Sequence, residues 1–327
     1  MTAAGSSQGD SATPLAADFE AATRAEGLAL VDKAIKGADF EKKLVTHTAD
    51  GIRIEPIYTR ETSVAALQTA VPGHAPLTRG ASSEVQGLGW EIRQRVNAGN
   101  PDQANREILS ELEGGSNGIV LEIEAPGQTG CRIQSAADMT AALAGMRLDL
   151  APLELRAGLG AADAASHLVA ALSGLGIPPQ SAQVFLGLDP IGSLARWCTL
   201  PSPIQQVLIE TMALAREARD AAPAMRTVKV DATLYHEAGA TEAFELAALG
   251  ATLIAYLRMF EAAGIAPDEA LGQIAFTVSS DTDLFATVAK LRAARRIIWR
   301  IADASGAGDA AAGLHLSANS SFRMMAR

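Results

Sequence analysis

His236, Glu237 and His315 are the residues here whose type and position could do chemistry. In "TVKVDATLYHEAGATEAFELAALG", residues 227–250, an alternating strand, a polar hinge and an apolar helix follow one another. His236 and Glu237 then fall where a strand delivers its last side chains to a site, as in parallel barrels. Leu234, two places earlier, is inert. His315 holds a similar place near the C-terminal end of a strand predicted over 312–319. Gly239 in "EAGAT" would let a backbone approach a ligand closely. The same Glu237 equally suits the positive N-terminus of a helix beginning near Thr241. The remaining histidines, His47, His74 and His167, are scattered without metal-ligand spacing, so no metal site is expected. No P-loop, GxSxG elbow or HExxH occurs.

Composition narrows the classes. The chain has 327 residues, 48% hydrophobic and 4% aromatic, enough for one large core of Ala, Leu, Val and Ile. A formal net charge of −10 argues against a nucleic-acid surface, because phosphate binding needs clustered cations. Cys131 and Cys198 lie far apart, which excludes a CxxC site and points to a reducing, cytoplasmic setting. The opening "MTAAGSSQGDSATPLAA" lacks the basic and apolar regions of a secretory signal and reads as a flexible leader. No apolar run of membrane-spanning length is read, so no membrane partner is expected.

The elements that must position these residues alternate between strand and helix. Apolar strands are predicted at 117–124, 151–158, 182–189, 226–233, 251–257, 274–280 and 312–319, with helices such as 202–221 and 283–304 between them. Nearly all-apolar strands alternating with helices imply a parallel sheet covered on its faces. Seven strands, no GxGxxG after the first and polar residues at strand ends favour an α/β TIM (β/α)8-type barrel over an open doubly wound sheet. The eighth strand is missing. The division expected is a flexible leader and helical arm over 1–45, an extended segment over 46–115 and the barrel, strands one to seven, over 116–327. The arm carries apolar Leu28, Leu30, Val31 and Ile35 with no core to join, and these are expected to bury against another chain.

Ordered motifs carry a resemblance. "LYHEAGATEAFELA" is similar to the segment of methylmalonyl-CoA mutase family members that reads close to "GYHMQEAGAT". "APLTRG" (75–80), "WEIRQR" (90–95), "GLDPI" (187–191) and "AKLRAAR" (289–295) follow in the family's order, over roughly residues 45–327. The resemblance implies a TIM-type barrel and an adenosylcobalamin-dependent radical isomerase that interconverts methylmalonyl-CoA and succinyl-CoA. In the family a separate C-terminal domain holds cobalamin through a DxHxxG histidine, a motif this sequence does not contain.

Carried residue by residue, the resemblance breaks at the active centre. The family's substrate-pressing tyrosine falls on Arg95, its thioester-binding histidine on Leu234 and its substrate-seating glutamine on Gly187. The arginine that pairs with the substrate carboxylate falls near Arg196 or Trp197. Glu237 matches a glutamate near the corrin and is the one cofactor-binding position retained, as a vestige. Leucine cannot donate to a thioester oxygen, and loss of one such donor costs about 2.7–4 kcal/mol of barrier. Arg95 is expected as an uncompensated cation in the cavity. No catalytic residue is therefore assigned. The resemblance is strongest to the small, non-catalytic subunit, which implies a catalytic large subunit as partner, adenosylcobalamin in the complex but none on this chain alone, and a homodimer as the other assembly. An active acyl-CoA mutase with altered substrate and an unrelated TIM-barrel lyase remain the alternatives.

Overall fold

Alternation of apolar and charged residues along short strands decides which side of the sheet meets helices. The computed structural model describes residues 20, 22–59, 71–83, 89–222 and 224–325, and the leader over 1–17 lies outside them. The chain divides into two compact units, Met1–Gln68 and Thr69–Arg327.

In the first unit, helix α1 (Arg24–Ala34) starts at a capping box in which Thr23 and Glu26 satisfy each other's backbone N–H groups. Helix α2 (Phe40–Leu44) leads to a small antiparallel ribbon of β1 (Thr46–His47) and β2 (Arg53–Ile54). Arg53 pairs with both Glu41 and Glu55. None of the α1 side chains is buried, Leu28, Leu30 and Val31 included.

The second unit is a seven-stranded parallel sheet in chain order. Its elements are β3 (Arg93–Val96), α3 (Pro101–Glu113), β4 (Gly118–Glu122), α4 (Ala136–Ala142), β5 (Leu153–Arg156), α5 (Ala161–Gly174), β6 (Val184–Leu188), α6 (Pro190–Trp197), α7 (Ile204–Ala221) and β7 (Arg226–Asp231). There follow α8 (Thr233–Glu237), α9 (Glu242–Ala262), α10 (Pro267–Gly272), β8 (Ile274–Ser280), α11 (Leu284–Ala304), β9 (His315–Ser320) and α12 (Phe322–Met325). This is the TIM-type α/β barrel lacking a strand: β3 and β9 each pair with one neighbour, and among the described residues no strand joins them.

Ile119, Leu121, Leu153, Leu155, Val184 and Leu186 pack into one apolar cluster, while Val228, Val230, Phe276 and Val278 anchor a second. The alternate positions, among them Glu122, Glu154, Arg156, Lys229 and Asp231, face the other side of the sheet. The barrel interior is thus charged and the helix-facing layer apolar.

Two strand assignments are corrected. Residues 251–257 lie in the middle of α9, whose buried positions Leu246, Leu249, Leu253, Leu257 and Phe260 recur at helical spacing from the Thr241 cap. A short apolar run reads equally as strand or helix, and length decides it. The first strand is instead Arg93–Val96, in the stretch read as an extended approach, so residues 118–122 are paired on both sides. Helix α9 also corrects the reading of hydropathy: among the described residues it is one helix long and apolar enough to cross a membrane by length and composition.

Candidate functional site

A cavity of about 310 Å³ opens at the C-terminal ends of β3 to β7, where barrels place their chemistry. Arg95 reaches it from β3, Glu122 from β4, Arg156 from β5, Gly187 from β6, Asp189 from the cap of α6, and Lys229 and Asp231 from β7. Leu234 closes one wall from α8, and Arg196 and Trp197 close another from α6. Arg95, Gly187 and Leu234, the three positions singled out from the motif resemblance, therefore line one cavity.

Each has a physical setting. Arg95 Nε donates to Glu122 Oε1 at 2.9 Å, and the Glu122 side chain is only 5% exposed against 58% for Arg95. The expectation of an uncompensated cation is corrected: Glu122 neutralises it, a partner the strand "NGIVLEIE" carried in its alternating charges. Gly187 has φ +70° at an irregularity in the β6–β7 register, and a Cβ there would meet the Leu155 carbonyl oxygen at 2.3 Å. Only glycine fits without strain. Leu234 offers the cavity a hydrocarbon surface.

Below the mouth the charges satisfy one another. Lys229 Nζ donates to Glu154 Oε1 at 2.7 Å and lies 3.5 Å from Asp231. Burial pushes the Glu154 carboxyl up, but the nearby Lys229 and Arg156 cations outweigh it and hold the group at about 2. Asp231 is likewise held well below the usual carboxylate range: burial acts upward, and Lys229 and Arg156 prevail. Asp189 behaves oppositely. Burial raises it to about 6, although Tyr256 Oη and the Gly192 N–H both donate to it. Arg156 Nε has no hydrogen-bond partner among the described residues.

His236 and Glu237 are turned away from this cavity. His236 is buried, with Nε2 hydrogen-bonded to Ser321 Oγ at 2.8 Å. Burial, then the Arg323 and Lys290 cations, keep it below its ordinary pKa. Glu237 accepts from the Phe322 and Arg323 N–H groups at 2.9 and 2.7 Å, capping α12. His315 is corrected more sharply: it is the first residue of β9, at the opposite end of the strand from the cavity. Residues 309–313 form a 3-10 turn, so the strand begins later than its apolar pattern suggested. His315 packs against Phe185 with ring centroids 4.4 Å apart and the rings tilted by 44°, and burial followed by Arg93 lowers it to about 3.

His236, Glu242 and Asp281 bring ligand atoms within 4.8 Å of one another, but the Lys290 ammonium already pairs with Glu242 and Glu245 beside them. That cation serves the cluster as its counter-ion.

Sequence reasoning missed Glu122, Glu154, Arg156, Lys229 and Asp231. Their signal was present as charges at alternate positions of otherwise apolar strands. The arrangement can hold charge in fixed pairs. The cavity wall that Leu234 forms has no hydrogen-bond donor to offer a developing oxyanion.

Fold and site together define a TIM-type barrel with an enzyme-like cavity at its strand ends and a salt-bridged interior. The particular family follows from comparison: the profile of the methylmalonyl-CoA mutase family matches residues 47–324, and the chain belongs to that family. It is 35% identical to the methylmalonyl-CoA mutase small subunit of Streptomyces virginiae, over 91% of this chain and 48% of that protein. The small subunit of Propionibacterium freudenreichii subsp. shermanii is 29% identical over 96% of this chain and 49% of its own length. The S. virginiae large subunit is 24% identical over 79% of this chain. The chain thus spans about half the length of the curated small subunits it matches.

Proposed function

We propose that this chain is the barrel part of a non-catalytic small subunit, cytoplasmic, whose work is to pair with and stabilise the catalytic large subunit of an adenosylcobalamin-dependent methylmalonyl-CoA mutase. The observation that carries the reading is the meeting of Arg95, Gly187 and Leu234 in one cavity. Each occupies a family functional position with a side chain unable to do that position's work: a salt-bridged guanidinium, a glycine demanded by its backbone, and a hydrocarbon. The small-subunit names of the relatives support the same reading.

The residues present do not fit a cobalamin seat. Glu237, matched by the resemblance to a family glutamate near the corrin, has both carboxylate oxygens engaged by backbone N–H groups. We place the cofactor of the complex with the partner and treat Glu237 as a vestige in a structural post.

The test is cobalamin binding and isomerisation of methylmalonyl-CoA by the purified chain, with and without the large subunit. We expect neither from the chain alone, and turnover only in the complex. Measurable turnover by this chain with cofactor supplied would sink the non-catalytic reading. Leu234→His should restore nothing, because residues that act as a unit do not recover singly.

A further inference from the structure

The cavity at the strand ends has hydrogen-bond donors to spare. Four cations line it, Arg95, Arg156, Arg196 and Lys229, against the three carboxylates Glu122, Asp189 and Asp231. Glu154, just below, evens the charge through its bond from Lys229. The surplus is therefore one of donors, because each of these carboxylates already accepts a hydrogen bond. Glu122 accepts from Arg95, Asp189 from the Gly192 N–H and Asp231 from Thr233.

Arg156 is the opposite case. Its guanidinium stands 3.6 Å from Glu122 and 3.9 Å from Glu154, close enough to share charge and too far to donate. Among the described residues none of its N–H groups makes a hydrogen bond, and Nε is buried without a partner. The side chain keeps 20% of its surface exposed, in the cavity that it lines. Arg196, exposed at the mouth, also makes no hydrogen bond among the described residues, and both cations lie close enough to act on Asp231. The walls narrow what can enter. Leu234 offers hydrocarbon on one side and the Trp197 ring stands on another. The paired and buried Lys229 and Glu154 form the floor.

We infer that this cavity binds a free short-chain carboxylate, held at its carboxylate by Arg156 and along its chain by Leu234 and Trp197. The inference rests on the non-catalytic reading above, so the ligand is bound and released unchanged. A guanidinium with unused N–H groups matches the two oxygens of a carboxylate. A thioester suits the cavity poorly, because its carbonyl oxygen meets hydrocarbon at Leu234. Inorganic phosphate would leave the Leu234 and Trp197 surfaces without an apolar partner. Arg156 belongs to β5 and to none of the motifs that carry the family resemblance.

The experiment titrates the purified chain with sodium acetate, butyrate, phosphate and chloride at matched ionic strength, reading melting temperature and tryptophan emission. Butyrate should raise the melting temperature and change the emission through Trp197. It should bind about tenfold more tightly than acetate, the effect of burying two further methylenes. Arg156→Lys keeps the charge beside Glu122 and Glu154 but loses the planar fork, and should weaken butyrate about tenfold. Leu234→Ser should leave acetate binding unchanged and bring butyrate down to the level of acetate, which keeps the test decisive if Arg156→Lys folds poorly. Arg300→Lys, the same exchange at an exposed position of α11, should bind as the parent does. Phosphate or chloride binding as tightly as butyrate would mean an adventitious ion only and overturn the inference. Butyrate affinity unaltered in both cavity variants, or an emission change that survives Trp197→Phe, would place the ligand elsewhere and overturn it too. No binding of butyrate overturns the site and leaves the non-catalytic reading intact, whereas turnover of methylmalonyl-CoA by the chain alone sinks that reading in a separate assay.

Discussion

Gly187 is held by its backbone, so on the proposed reading a glutamine could not simply be restored there. Its positive φ and the 2.3 Å approach to the Leu155 carbonyl belong to the register break between β6 and β7. A glutamine there meets about 1–2 kcal/mol from the left-handed backbone alone, and the carbonyl clash adds to it. Gly187→Gln is therefore expected to lower the melting temperature by several degrees, at about 2–4 °C per kcal/mol for a domain of this size, and to give no turnover. An unchanged melting temperature would show that the bulge relaxes without glycine. Lys229 and Glu154 give the second prediction. Removing one partner of a buried pair costs about 3–5 kcal/mol, so Lys229→Met should be strongly destabilised in urea at neutral pH. The pH dependence has a definite sign. The Glu154 carboxyl sits at about 2 in the fold against an ordinary 4.5, so its stabilisation is full above about pH 4.5 and lost as pH falls toward 2. Asp189, raised to about 6 from 3.8, works the other way and costs stability as pH rises from about 3.8 to about 6. Glu154→Gln should flatten the acid limb of the denaturation profile between pH 4.5 and 2. An identical acid limb would show that Glu154 is not the group titrating. The motifs made Arg95, Gly187 and Leu234 legible as a set. Glu122 beside Arg95 was not, because pairing across strands depends on register, which no local pattern records.

At the scale of elements, length and capping settled what composition left open. The run "ATLIAYL" has the residues of a buried strand, yet it continues without a break from the Thr241 cap to Ala262 as one 21-residue helix. The genuine first strand, "RQRV", was hidden because its inward residues are arginines, whose charge is satisfied by Glu91, Glu154 and Glu122. Strands 153–156, 184–188, 226–231 and 274–280 were legible because each presents an apolar face to a covering helix. The "YHEAG" turn is the instructive element. Its His236 and Glu237 looked like chemistry and hold α12 instead: Glu237 caps two backbone N–H groups, and Arg323 donates to the His236 carbonyl oxygen at 2.6 Å. Glu237→Ala should loosen this clasp by about 0.5–2 kcal/mol, the usual worth of a helix cap. Hydrogen exchange would show faster amide exchange at Phe322 and Arg323 with the barrel strands unaffected. Unchanged protection at those two amides would mean that Ser321 and Arg323 alone fix the turn.

The whole molecule is governed by the gap between its first and last strands. Seven parallel strands pair in chain order, and the pairing stops at β3 on one side and β9 on the other. The sequence suggested an open edge at residues 117–124; the edge lies one strand earlier, at Arg93–Val96, because that strand shields residues 118–122. An unpaired strand edge carries backbone donors and acceptors that invite another strand. Along β9 successive N–H groups point alternately toward β8, where Ala275 to Ser280 pair with His315 to Ser320, and toward the open side. For the chain alone at low concentration, amide exchange over 315–320 should therefore fall into two alternating classes, slow on the β8 side and fast on the other. The adjacent β8 is paired on both sides over 275–277 and should be slow at those residues. Uniform slow exchange along β9 would show that a strand closes the gap and that the open edge is not the state in solution. If the fast class slows with rising protein concentration, a second copy supplies the strand. If it slows only when the large subunit is added, the partner reaches across the gap, and the barrel is completed by assembly.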